Sequence, residues 1–252
     1  MAKQKNGEFF YLILAAIFIA SLVTCNLIFL KFTSFTPFSF LTFGATEDSI
    51  WHNLVNYTFI ISVGLIPYPI TFLVTDLISE IYGVRRANNV VKAGLMASVF
   101  VLIIVFVADI SPSINTDPSE GVTDVMFSSI FGLTAVSVFS SMMAYLLAQF
   151  IDIRIFHFWK RRTNGKKLWL RNNFSTIPSQ FFDSMTVLLM LCSFGAIPWE
   201  NFWPFFWSGF IFKILVALFD TPLFYLFSGM ARRYFGLKMG EELVDKYLIN
   251  NY

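Results

Sequence analysis

Apolar residues in this chain cluster in long runs. They do not show the strict alternation of a half-buried strand or the one-sided stripe of a surface helix. Six runs stand out: roughly Phe9–Leu30, Leu54–Thr75, Val90–Ala108, Val125–Ile153, Phe174–Ile197 and Trp207–Phe227. Each is near or above the ~20 residues that cross a bilayer as a helix. The second can be continued to Tyr82. The pattern predicts an all-α integral membrane protein of six transmembrane helices, forming one domain over residues 1–252. The connections are short. The longest on the side opposite the termini, about Lys31–Asn53 and Asp109–Asp124, have room for a short helix or hairpin at most, and the first is rich in Phe and Thr ("KFTSFTPFSFLTFG").

Composition agrees. Hydrophobic residues make up 56% of the 252 and charged residues 13%, about half the charged share of an ordinary soluble domain. The position of the charges adds an orientation. Of the 18 Lys and Arg, all but Lys31 and Lys213 fall before the first run, between the second and third or at the very start of the third (Lys92), between the fourth and fifth, or after the sixth. With six crossings these segments share one side, and basic loops mark the cytoplasm, so both termini are expected there. Asp109, Asp117, Glu120 and Asp124 lie in a loop on the opposite side. The first run has no A-x-A cleavage pattern after it and reads as a retained span. The loop "KRRTNGKKLWLR" is an inside-topology signal first; binding of anionic lipid is open, and nucleic-acid binding is not expected.

Several chemistries find no support. Cys25 and Cys192 sit within apolar runs and form no CxxC pair, and His52 and His157 belong to no metal-spaced cluster. No metal, cofactor or catalytic residue is expected. There is no P-loop to bind ATP, no HExxH and no Ser/His pairing in the spans. An enzyme would have to work with carboxylates alone, so a non-enzymatic role is expected.

What remains are ionisable and polar residues inside the apolar runs. Each such charge costs roughly 2.5–3.5 kcal/mol at mid-membrane on insertion scales and marks a partner or a wet cavity. Asp76 and Glu80 share a helix face at i, i+4. They form either an interfacial helix end with Arg85 and Arg86 as counter-charge, or a polar cluster lining a cavity. Ser179, Gln180 and Asp183 follow Pro178, and Gln180 and Asp183 at i, i+3 can point the same way. Lys213 and Asp220 are two turns apart on one face of the last span, and Lys213 is expected to pair across the bundle with Asp183, Asp220 or an acid of the second span. A purely structural ion pair is the alternative. Asn26 lies among Leu and Ile in the first span. Pro67 and Pro69 precede Asp76, Pro178 precedes Asp183 and Pro222 follows Asp220; proline frees a backbone carbonyl and bends a helix, and broken helices line substrate cavities in transporters. In the fourth run Ser128, Gly132, Ser140, Ala144 and Ala148 recur at multiples of four, with Ser137 and Ser141 alongside, a small-residue stripe suited to another span or to a homodimer.

At "YPITFLVTDLISEIYGVRRANNVV", "PSQFFDSMTVLL" and "FKILVALFDTPLFY" the sequence resembles the queuosine precursor transporter family, also called the vitamin uptake transporter family. The resemblance implies a multi-pass importer of the bacterial inner membrane for 7-deazaguanine bases (such as the 7-cyano and 7-aminomethyl forms, or queuine), precursors of the queuosine modification of tRNA. It also implies a fold akin to the substrate-binding component of energy-coupling-factor transporters; service as such a component is the alternative function. The substrate-binding set compatible with it is Asp76, Glu80, Gln180, Asp183, Lys213 and Asp220, with Ser179 and Asn26. One carboxylate can accept the adjacent N1–H and exocyclic amine of a guanine-like base, and some of the 32 Phe can stack on its ring.

Overall fold

The structure, a computed structural model, describes residues 2–39, 56–162, 168–237 and 241–243. Residues 40–53 of the expected first loop, with His52, lie outside the described residues, as do Lys166, Lys167, Lys238 and Lys246. The chain runs through α1 (Ala2–Leu27), β1 (Phe32–Phe35), β2 (Phe59–Ser62), a 3₁₀ turn Val63–Leu65, α2 (Tyr68–Tyr82), α3 (Val84–Ile110), α4 (Asp124–Phe131), α5 (Thr134–Arg162), α6 (Leu168–Ser193), a 3₁₀ turn Trp199–Asn201 and α7 (Phe202–Phe235).

Five stretches among the described residues are helical, long and apolar enough to cross a membrane: Lys5–Leu27, Val63–Tyr82, Val84–Ile110, Asp124–Ala148 and Trp199–Phe235. α6, the expected fifth span, matches them in length at 26 residues but carries Ser179, Gln180, Asp183 and Ser184, all buried. Large apolar side chains such as Phe100, Ile103, Phe106, Leu218 and Phe219 are exposed along α3 and α7. Faces that apolar suit hydrocarbon rather than water.

Two corrections to the sequence reading concern helix continuity. The fold is not purely helical. The first half of the expected second span contains strand β2, paired antiparallel with β1 from Phe32↔Ser62 to Phe35↔Phe59. "FIIS" carries aromatic and β-branched side chains that favour a strand, and Gly64 and Pro67 follow before a helix is under way. Gly64 is packed hard against the end of α1: a Cβ there would lie 2.4 Å from the Cys25 carbonyl oxygen and 2.9 Å from the Phe29 Cα. Val63 N–H donates to the Lys31 carbonyl at 2.7 Å, and the Ser62 hydroxyl to that of Phe29. Pro67 and Pro69 therefore do not break a helix. They start one, with Pro67 at the N-cap and Pro69 in the first turn of α2, where a missing N–H costs nothing. Pro178 and Pro222 do lie inside α6 and α7. The expected fourth span is likewise interrupted, at a Gly132–Leu133 turn between α4 and α5.

The bundle has two apolar ends. At one, Leu14 and Phe18 of α1, Ile78, Ile81 and Tyr82 of α2, Val90 of α3 and Phe235 of α7 form a buried cluster. Polar links tie the same end together: Glu8 with Arg86 at 2.9 Å, Tyr82 OH to the Gly7 carbonyl at 2.7 Å, Asn6 to Tyr234 at 2.8 Å, and Glu80 with Arg232. The basic positions at the start of α1, the α2–α3 junction and the end of α7 are thereby gathered at one end. Gly83, between α2 and α3, has φ +84°, a conformation that glycine adopts without strain. At the other end Leu188, Leu191 and Cys192 of α6 pack with Ile197, Phe202 and Phe206. α5 and α6 pack closely along their length, and Ser137, Ser140, Ala144 and Ala148 of the small-residue stripe are buried, whereas Ser128 and Gly132 are exposed. α7 contributes to both apolar ends. Lys213 and Asp220 fall between them.

Candidate functional site

The centre of the site follows from three helix positions. Tyr68 is the first residue of α2, Asp183 lies five residues past Pro178 in α6, and Lys213 lies a third of the way down α7. Asp183 and Lys213 are 5% and 7% exposed. The Lys213 Nζ donates to Asp183 Oδ2 at 2.5 Å and to the Ser184 Oγ at 3.0 Å. The Tyr68 hydroxyl donates to the same Oδ2 at 2.8 Å. Both bonds fall on Oδ2, and Oδ1 takes part in neither. The ammonium also stands 4.7 Å from the centre of the Tyr68 ring, close enough for a cation–π contact. Of the acidic partners open to Lys213, the structure selects Asp183. A buried ion pair survives only when well hydrogen-bonded on both sides, which Tyr68 and Ser184 provide here.

This cluster stands between two cavities. The smaller, about 80 Å³, reaches toward the strand end of the bundle and is bordered by Asn26, Ile60, Gly64, Asp183, Ser184 and Phe205 among others. The larger, about 470 Å³, reaches toward the basic end and is bordered by Asp76, Asn88, Asp152, Ser179, Gln180 and Asp220 among others. Tyr68, Lys213, Tyr145, Thr71, Phe18 and Val91 border both. Phe72, Phe212 and Phe224 add rings to the larger one.

The expected site residues divide accordingly. Asn26 and Asp183 face the smaller cavity; Asp76, Ser179, Gln180 and Asp220 face the larger; Lys213 faces both. Gln180 and Asp183 thus serve different cavities despite their i, i+3 spacing. Glu80 borders neither. Its carboxylate meets the Arg232 guanidinium, joining α2 to α7, while Arg86 turns to Glu8, so the counter-charge comes from α7. Ser179 donates to the Thr176 carbonyl at 2.9 Å and to Asp152 at 3.4 Å. The Gln180 Oε1 is buried and accepts no hydrogen bond among the described residues.

Sequence reasoning missed Tyr68, Ser184, Tyr145 and Asp152. Asp152 carried a usable signal, a carboxylate late in the fourth apolar run. Tyr68 and Ser184 directly flank positions already singled out, but a tyrosine or serine in a span has too many ordinary explanations to stand out.

Comparison with known proteins places this architecture. Residues 62–227, most of the chain, with all of α2 and α6 and most of α7, match the family described as "Putative vitamin uptake transporter". A "Probable queuosine precursor transporter" of Bacillus subtilis (strain 168) is 26% identical over 165 residues, covering 65% of this chain and 70% of that protein. No solved structure matches the chain significantly.

Proposed function

The chain belongs to the vitamin uptake transporter family, and we propose that it imports a 7-deazaguanine base, a queuosine precursor, across the bacterial inner membrane. The observation that carries this reading is a buried carboxylate flanked by donors between two cavities, inside a bundle of membrane-length helices. A guanine-like edge offers two adjacent N–H groups, which one carboxylate can accept. Asp183 has Oδ1 to offer and Oδ2 to share if the base takes over the place of Lys213, with Tyr68 still holding the carboxylate. The base carbonyl beside those groups needs a donor, which the Lys213 ammonium or the Gln180 amide supplies. The larger cavity meets the cluster through Tyr68 and Lys213, which border it, while Asp183 faces the smaller one; at about 470 Å³ it falls in the ~300–1,000 Å³ range of small-molecule sites, and its Phe and Tyr rings suit a planar solute.

In this reading the chain crosses the membrane six times, with α6 as the additional crossing beside the five apolar stretches. Its polar middle faces the cavities rather than lipid. Both termini lie in the cytoplasm, consistent with the gathering of Lys and Arg at one end of the bundle. The larger cavity then opens inward and the smaller outward, so the Tyr68–Asp183–Lys213 cluster divides the two sides, as alternating access requires.

The test is uptake of a labelled 7-deazaguanine base into liposomes that contain only this protein, without ATP. Saturable uptake that is lost in a folded Asp183→Asn variant is the expected result. Binding without uptake points instead to a component that awaits an energy-coupling partner. Normal uptake by the variant removes Asp183 from the site.

A further inference from the structure

The larger cavity is lined by more negative charge than the base-binding reading uses. Asp76 from α2, Asp152 from α5, which Ser179 also contacts, and Asp220 from α7 all border it, and among the described residues Lys213 is the one basic side chain in its lining. The Lys213 ammonium is already bonded to Asp183. Asp76 lies near Asp152, Asp220 and Glu80, whose charges oppose its own. A second, independent feature points the same way. Gln180 is 4% exposed, borders this cavity, and its Oε1 accepts no hydrogen bond among the described residues. A buried acceptor without a donor is unfavourable, and everything added here by the acids is also an acceptor. The cavity is built for a ligand that donates and carries positive charge.

The placement along the helices gives the ligand a shape. Asp76 lies eight residues past Tyr68 in α2, and Asp220 seven past Lys213 in α7. At ~1.5 Å per residue these are separations of about 12 and 10.5 Å along helices that both run toward the basic end. The acids thus form a second polar level, two turns from the Tyr68–Asp183–Lys213 level. A rigid two-ring base held by its edge at the first level directs a short arm on its far side at the second. Among the described residues no three acidic, His or Cys side chains are placed around one metal position, so the acids suit a charge delivered by an organic group rather than an enclosed ion.

Resting on the transport reading above, we propose that Asp76 and Asp220, with Asp152, form a subsite for a protonated amine arm, so that the protein prefers a 7-deazaguanine bearing an aminomethyl cation over one bearing a neutral cyano group. The two arms differ little in length and greatly in charge, so the comparison isolates the electrostatic contribution.

The experiment measures affinity of the purified full chain in detergent for the 7-aminomethyl and 7-cyano bases, by competition against one labelled base. A preference of about tenfold or more for the aminomethyl base is expected from one charge-assisted hydrogen bond. In Asp76→Asn and in Asp220→Asn that ratio should fall toward one, while Asp220→Glu, which keeps the charge, should preserve it. Two variants on different helices keep the test informative if either fails to fold. Equal affinities in the native protein, or an unchanged ratio in both Asn variants, overturn the subsite while leaving base transport standing. Competition of the aminomethyl base by sodium or magnesium, without effect on the cyano base, overturns it in favour of an inorganic cation. Binding of neither base overturns the transport reading and the subsite together.

Discussion

The Lys213–Asp183 pair permits a decisive test because its stability and transport roles predict different outcomes. Both side chains are almost fully buried and linked at 2.5 Å. Removing one partner of a buried pair leaves an uncompensated charge and costs about 3–5 kcal/mol where no other group offsets it. In Lys213→Met the Tyr68 hydroxyl remains on the carboxylate, which holds the loss near the lower limit, about 3 kcal/mol. In Asp183→Asn the ammonium keeps the Ser184 hydroxyl and the face of the Tyr68 ring, so the loss is about 2 kcal/mol. The double variant buries no charge, and the amide oxygen introduced by Asp183→Asn still accepts from Tyr68, so it should cost no more than about 2 kcal/mol relative to the native chain. The cycle therefore predicts a coupling energy of about 3 kcal/mol, at the upper end for neighbouring residues. Equilibrium unfolding of all four proteins in mixed micelles measures it. Coupling below about 0.5 kcal/mol, the level of independent sites, would refute the buried-pair argument. Liposome uptake of the same four proteins then separates structure from function. The double variant should regain stability over Lys213→Met but transport no base. Native-like uptake by the double variant would make the pair a structural fixture and remove it from the substrate path.

Four further outcomes are expected. Tyr68→Phe keeps the ring beside Lys213 and removes only the hydroxyl on Asp183; base affinity measured by competition should fall about tenfold, as for loss of one hydrogen bond to a charged group, with the fold intact by circular dichroism. Glu80→Gln breaks the link to Arg232 outside both cavities and should cost about 1 kcal/mol or less for a partly exposed pair while base affinity stays within twofold of native, roughly; a loss as large as that of Asp183→Asn would return Glu80 to the site. Gly64→Ala drives a Cβ to 2.4 Å from the Cys25 carbonyl oxygen, a backbone atom with no room to retreat, and should destabilise by about 1–3 kcal/mol in thermal melts. A single cysteine at Asp117, in a chain whose buried Cys25 and Cys192 are replaced by serine, should react with an impermeant thiol reagent added outside cells, whereas a cysteine at Arg233 should not; the reverse pattern inverts the orientation.

What the sequence conveyed about this molecule follows from which interactions are local. Burial in lipid demands length and apolarity, so the helical runs announce themselves one residue after another, and the misfit acids announce themselves by contrast with their neighbours. Asp183, Gln180 and Lys213 were legible for that reason. Their partnership was not: Lys213 had several acids within conceivable reach, and only the packing of α6 against α7 brings one of them to 2.5 Å. The second span was misjudged because hydropathy cannot tell a buried strand from a buried helix over a short apolar run. "FIIS" pairs with β1 only because Gly64 lets the chain lie against the end of α1, a contact between residues nearly 40 positions apart. Asp76 and Glu80 show the same limit in reverse. Spacing at i, i+4 put them on one helix face, yet Arg232, from the far end of the chain, takes Glu80 out of the cavity and leaves Asp76 in it. Two carboxylates one turn apart thus acquire different tasks, one tying α2 to α7 and the other facing the solute path. Chemistry of the residue type proposes a role, and the partner supplied by a distant helix decides it.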